Sequence, residues 1–282
     1  NSRRRATLSA RRTKSGVLIG FHARASDTIA EIGSDFMSSC TSIQTIDLAP
    51  LTGIHNLPKQ FMSGCTGLSS ADLSMLSVMT VKEGVLAGCT SLTTFYLPAL
   101  RENAEIHQTA FSGLTSLSTV SSPPTTHEYP SGVFANPSLR HLDLSNLTLL
   151  TRLPAIPTPR ALESLRLPSS ITELPPNFMA GCLTLRGLNL KHLTNLTALP
   201  TGFMQGCVNI EMLMLPTQVP SITSLPHKFL ADFNKIKSMD MSHLTALTEL
   251  PTGFMANCSS LKALTLPPSI VTLPPDFLSG CT

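Results

Sequence analysis

The chain has 282 residues, 42% of them hydrophobic, with no Trp and only two Tyr, so its core must be built from Leu, Ile, Met, Phe and Cys. The formal net charge of +3 describes no part of the chain. Arg3, Arg4, Arg5, Arg11, Arg12, Lys14 and Arg24 place seven positive charges and no acid in the first 26 residues, which leaves 13 basic residues against 17 acids in the rest. A mildly acidic body gives no evidence of nucleic-acid binding, and none is expected of it; no apolar run reaches the length of a membrane-spanning helix.

In chain order, residues 1–26 read as a basic arm without fixed structure, and residues 27–282 as a repeat solenoid. Its unit runs Leu-Pro-x-x-Phe-Met-x-Gly-Cys-x-x-Leu-x-x-Leu-x-Leu, as in Leu57-Pro58, Phe61-Met62, Gly64-Cys65, Leu68 and Leu73. Starts recur every 23 to 26 residues, giving about ten repeats and a truncated last one. Self-similarity of that length implies stacked units, none able to bury its apolar face alone. The alternating apolar positions predict ten short strands, at 43–48, 68–73, 92–97, 117–122, 139–144, 162–167, 185–190, 210–215, 236–241 and 261–266.

The Pro-x-x-Phe-Met segments predict helices of one or two turns. Proline suits the first helical position, and Gly64, Gly88, Gly113, Gly181, Gly206 and Gly280 fill a slot suited to closing a helix. On this reading Gly206 is the demanding glycine and Gly202 the tolerant one. Two connectors follow the strands. One begins Leu-Ser-x-Leu-Thr-x-Leu, as from Leu144, and the other carries proline straight after the strand, as at Pro98, Pro123, Pro168, Pro216 and Pro267. Regularity fails between Ser121 and Ala161, where Pro-Pro and Pro-Thr-Pro runs intervene. The chain starts at Asn1 and stops at Thr282 before a further strand, so it reads as a fragment.

Cys40, Cys65, Cys89, Cys182, Cys207, Cys258 and Cys281 share one slot, which Leu114 and Phe233 fill in two other copies. A position exchangeable with Leu and Phe holds a small hydrophobe, so a buried thiol column is predicted and no disulfide framework. His192 and His243 share a slot two repeats apart, about 10 Å, too far for one metal ion. No nucleophile elbow or phosphate loop is present, so no catalytic, cofactor or metal residue is assigned.

This unit resembles the BspA-like subclass of leucine-rich repeats, whose unit reads roughly Ala-Phe-x-x-Cys-x-x-Leu-x-x-Ile-x-Leu-Pro. Ala110-Phe111, Leu114, Leu117 and Val120 form the closest copy, and elsewhere the pair is reversed in size, as Phe203-Met204. The resemblance implies an α/β repeat solenoid: a leucine-rich-repeat horseshoe with a parallel β-sheet on its concave face and short helices or turns on its convex face. It also implies a cell-surface or extracellular setting and a macromolecular ligand, and it brings no catalytic residue.

Strand residues facing away from the core are the candidate recognition surface. The middle outward column holds Asp47, Asp72, Tyr96, Ser121, Asp143, Arg166, Asn189, Met214, Asp240 and Thr265, flanked mostly by small residues. Binding energy concentrates in aromatic, Met and Arg anchors, so the candidate set is Tyr96, His141, Asp143, Arg166, Asn189, Met212, Met214 and Asp240. The expected function is a non-enzymatic binding module for a protein or glycan, such as an adhesin or receptor fragment. The alternatives are an intracellular scaffold, or the repeat part of a larger enzyme.

Overall fold

The computed structural model describes residues 7–13, 16–22, 31–46, 51–134, 136–155, 161–217 and 222–281. Expectations placed on Asp47 and on residues 157–159 lie outside them. The chain divides into two compact units, Asn1–Leu139 and Arg140–Thr282, a division that falls in the stretch where the repeat loses regularity.

In the first unit Thr7–Thr13 (β1) pairs antiparallel with Gly16–His22 (β2), a hairpin within the arm that was expected to lack fixed structure. The solenoid coils of this unit carry two parallel sheets. Ser70–Asp72 (β4), Thr94–Tyr96 (β6) and Thr119–Ser121 (β8) form one. Asn56–Leu57 (β3), Ser77–Val81 (β5) and Ala99–Ile106 (β7) form the other. In the second unit His141–Asp143 (β9) pairs with Ser164–Arg166 (β10), Gly187–Asn189 (β11) with Met212–Met214 (β12), and Ser238–Asp240 (β13) with Ala263–Thr265 (β14), all parallel and in register. Nine of the ten expected strands thus appear at their expected places, each with a ladder of three residues. The middle residue of each faces inward, and Leu, Phe, Val, Met or Ala there is largely buried. Alternation with period two is what puts it there.

The Pro-x-x-Phe-Met segments are where the structure departs from expectation. They are not helices but runs of overlapping turns. In the coil of Pro58, Phe61 N–H donates to Pro58 C=O (3.3 Å) and Ser63 N–H to Gln60 C=O (3.1 Å). The third residue of each turn has positive φ: Gln60 at 56°, Met62 at 53° and Gly64 at 67°. Positive φ at the third residue alone identifies type II turns. The N–H groups of those residues leave the coil alternately, Gln60 to Glu83 C=O (2.9 Å), Met62 back to Phe36 C=O (2.8 Å) and Gly64 to Ala87 C=O (2.8 Å). A helix would spend these donors within its own coil. The turns lend them to the neighbours, so this side becomes a second inter-coil ladder. Among the described residues the α-helical exception is Ser131–Phe134 (α1), whose Gly132 and Val133 carbonyls accept from the Asn136 side chain.

The reading of Gly202 as the tolerant glycine is corrected here. Gly202 and Gly206 both have positive φ, 72° and 76°, and Gly202 is the tighter. A Cβ on it would lie 2.2 Å from Asn177 Oδ1 and 3.3 Å from Asn177 Cα, whereas one on Gly206 meets nothing nearer than 3.9 Å. At three places the side chain in this first left-handed slot lies against a glycine of the following coil: Gln60 against Gly84, Asn177 against Gly202, Lys228 against Gly253.

All seven cysteines are reduced thiols. They also do more than fill space. Cys65, Cys89, Cys207 and Cys258 each donate S–H to the carbonyl of the left-handed residue in the preceding coil: Met37 (3.1 Å), Met62 (3.2 Å), Met179 (2.9 Å) and Leu230 (3.2 Å). Burial pushes the thiols of Cys207 and Cys258 up to about 12 and about 11, so little nucleophilic thiolate exists at neutral pH. Cys40 and Cys281 are the two thiols that are not buried, so in the folded protein they should be the ones that react with an aromatic disulfide reagent. All seven should react after denaturation without reductant. Fewer than seven reactive groups after denaturation would contradict the reduced column.

Candidate functional site

The outward residues of the strands lie in two columns, and hydrogen bonding divides the middle one into two kinds. Asp72, Asp143, Asn189 and Asp240 end strands that run into the longer connector. In each, the side-chain Oδ1 accepts the backbone N–H two residues on: Ser74 (2.9 Å), Ser145 (2.9 Å), Lys191 (3.0 Å) and Ser242 (2.9 Å). Ser74 and Ser145 add a hydroxyl donor to the same oxygen at 2.6 Å. These are Asx turns. In the other coils the residue two on from Tyr96, Ser121, Arg166, Met214 and Thr265 is proline, which has no N–H to satisfy. The two connectors are thus two solutions to one problem, the first donor beyond the strand. Aspartate or asparagine accepts it, or proline removes it.

The consequence for recognition is direct. Asp143, Asn189 and Asp240 are exposed but hold turns with one oxygen each, whereas Tyr96, Arg166 and Met214 carry no turn duty. The hydroxyl of Ser145 holds the Asp143 carboxyl below its ordinary range, and Ser242 does the same for Asp240. A depressed folded pKa means that this contribution is present above the ordinary carboxylate range. It is lost as pH falls through the lowered value.

In the first unit Tyr96, 39% exposed, stands between Asp72 and Ser121 in register. The other seven candidates lie in the second unit, where each faces a residue of its paired strand, Asp240 facing Thr265. His141 faces Ser164, its Nδ1 2.9 Å from the hydroxyl. Arg166 faces Asp143 at 3.5 Å, with both side chains more than half exposed, a pair worth little in water. Met212 faces Gly187, and Met214 faces Asn189. Met212 is 47% exposed and spreads over the glycine, its Cε 3.5 Å from where a Cβ on Gly187 would stand. Gly187 therefore lets Met212 lie flat along the sheet, an apolar step among polar and small neighbours.

The column just before the strands was not singled out in the sequence reading. In the first unit it is a hydroxyl ladder: Ser69, Thr93 and Ser118 each donate to the carbonyl of the coil before at 3.1 Å. In the second unit it carries charge: Arg140 pairs with Glu163, and Arg186 with Glu211 at 3.3 Å. Its signal in the sequence was the alternation of sign at repeat spacing. The paired histidine slot is a hydrogen-bonding position at His192, whose Nε2 lies 2.7 Å from Leu167 C=O. Among the described residues no group of three His, Cys, Asp or Glu converges as metal ligands do, and no helix is long and apolar enough to cross a membrane.

Solved structures similar to this chain include a leucine-rich repeat protein from Bacteroides ovatus, at 14% identity over 97% of this chain and 91% of that one, with a TM-score of 0.46. One from Eubacterium ventriosum matches at 12% identity over 98% and 93%, TM-score 0.42. A leucine-rich cell surface protein from Faecalibacterium prausnitzii matches at 18% over 90% and 74%, TM-score 0.40. No curated protein matches the chain. The model of the BspA type leucine-rich repeat region matches residues 22–104, 100–152 and 158–282 in six copies. With its Leu, Gly and Cys slots falling on inward strands, turn ends and a thiol column, the chain belongs to the BspA-type leucine-rich repeat family.

Proposed function

We propose that this chain is a non-enzymatic binding module that engages a protein partner through the outward residues of its strands, in a cell-surface or extracellular setting. The observation that carries this reading is Met212, exposed and laid over Gly187, with Met214 beside it. An exposed methionine on a preorganised sheet is an adaptable apolar anchor, and a rigid repeat loses little conformational entropy on binding. Arg166 supplies a second anchor type on the same unit. A protein is favoured over a glycan because the strand face of the second unit offers apolar methionine rather than a row of sugar hydrogen-bond partners. The turn side repeats nearly the same residues in each coil, which suits packing rather than recognition.

The test sets variants against a partner recovered on the immobilised chain from an extracellular protein fraction. Met212→Ala with Met214→Ala should weaken binding at least tenfold with little change in melting temperature. Arg166→Ala should weaken it less. Lys59→Glu and Lys228→Glu, on the turn side, should leave it unchanged. The reverse pattern would place recognition on the turns and reject this reading.

A further inference from the structure

The second unit carries a groove of about 540 Å³ lined by Glu163, Leu183, Thr184, Arg186, Asn209, Glu211 and Lys235. It lies beside the charged column that precedes the strands. Three features there are independent of the strand face.

Leu183 is 51% exposed in the slot after Cys, where Val208 stands in the next coil and Thr66, Thr90, Asn234 and Ser259 in others. Its backbone is pinned, since its carbonyl accepts from the Asn209 side chain at 2.8 Å, so the isobutyl group sits fixed at the surface. The neighbouring charges are largely spent on each other, with Arg186 on Glu211 at 3.3 Å and Arg140 on Glu163. The alternation of sign then breaks. Lys237 and Lys262 follow in the same column, adjacent through Lys262 N–H to Lys237 C=O at 2.8 Å. Like charges on neighbouring strands repel. Lys235 lies two residues before Lys237 at the groove's end. None of the three lysines has an ion pair among the described residues.

We propose that this groove binds an extended acidic peptide segment of a partner protein, with one aliphatic side chain on Leu183 and successive carboxylates on Lys235, Lys237 and Lys262. From the coil of Glu163 to that of Lys262 is four strand spacings, about 19 Å, the span of five or six extended residues. The occupant is a peptide rather than a bare polyanion because the groove offers the exposed Leu183 beside its charges and its unpaired cations stand toward one end. A uniformly charged polymer would place its anions against Glu163 and Glu211.

The probe is a fluorescein-labelled, amidated peptide, Leu-Asp-Glu-Asp-Glu, titrated by polarisation against the whole chain. Saturable binding is expected, weakening as salt rises. The triple variant Lys235→Ala, Lys237→Ala, Lys262→Ala should lose at least tenfold in affinity, and Leu183→Ser about fivefold. Gly in place of the peptide's Leu should cost about as much as Leu183→Ser. Met212→Ala with Met214→Ala should bind the probe as the native chain does, which separates this site from the strand face. Hydrogen exchange on the native chain should slow over residues 183–186 and 209–211 when the probe is bound. Absence of saturable binding overturns the proposal. So does indifference to Leu183→Ser and to the Gly peptide, or tighter binding of a chondroitin sulfate oligosaccharide than of the peptide.

Discussion

Gly202→Val should destabilise the second unit by about 3 kcal/mol, and Gly206→Val by about 1–2 kcal/mol. Both residues sit at positive φ, where any L side chain is strained and a β-branched one most of all. Gly202 adds a steric cost, because its Cβ would strike the Asn177 side chain of the preceding coil and crowd its Cα. The two costs separate in a double-mutant cycle. Asn177→Gly alone should be close to neutral, since position 177 also has positive φ. In the Gly202→Val background the same change should restore about 1 kcal/mol by opening space. Denaturant unfolding monitored by circular dichroism reads both. Equal losses for the two valine variants, or an Asn177→Gly effect unaltered by the background, would refute the stacking of left-handed slots.

Met204→Ile should cost about 2 kcal/mol, whereas Met204→Leu should cost less than about 1 kcal/mol. The side chains have similar volumes and site 204 is fully buried, so core packing alone predicts little difference. The backbone supplies it. Met204 has φ of 52°, and its N–H donates to Phe178 C=O at 2.8 Å, so the residue cannot leave the left-handed region without breaking an inter-coil bond. Among the described residues the equivalent slots at positive φ hold Met37, Met62, Leu86, Phe111, Met179, Leu230, Met255 and Leu278, and none is β-branched. Equal stability of the isoleucine and leucine variants would mean that volume rather than backbone conformation selects this slot.

That slot marks the limit of what the sequence disclosed. The strands were legible because Leu spacing with period two has one structural meaning when it recurs in every repeat. The inward residues Ala71, Phe95, Leu142, Leu188 and Leu213 all lie where the pattern placed them. The Pro-x-x-Phe-Met-x-Gly segment was misread because proline at its start and glycine at its end suit a short helix and a run of turns equally. A local signal did separate them: glycine in mid-segment, at Gly84, Gly202 and Gly253, is costly in a helix and suits a left-handed slot.

The candidate residues were legible as a column but not as two kinds. Asp143 and Arg166 are neighbours in register and both outward. Only the bond from Ser145 N–H to Asp143, and the proline at 168 that needs none, show that one serves the turn and the other does not. The two connector types were visible in the sequence; the donor they both dispose of was not.

The account rests on that division of labour, and thermal unfolding of single alanine variants along the column tests it most directly. Asp143→Ala should cost about 1 kcal/mol through the lost turn bonds, and Asp72→Ala and Asn189→Ala should shift the melting temperature downward likewise. Tyr96→Ala, Arg166→Ala and Met214→Ala should leave it nearly unchanged, because their turns are closed by proline. Indistinguishable losses in the two sets would contradict the account, and so would larger losses at Tyr96, Arg166 and Met214.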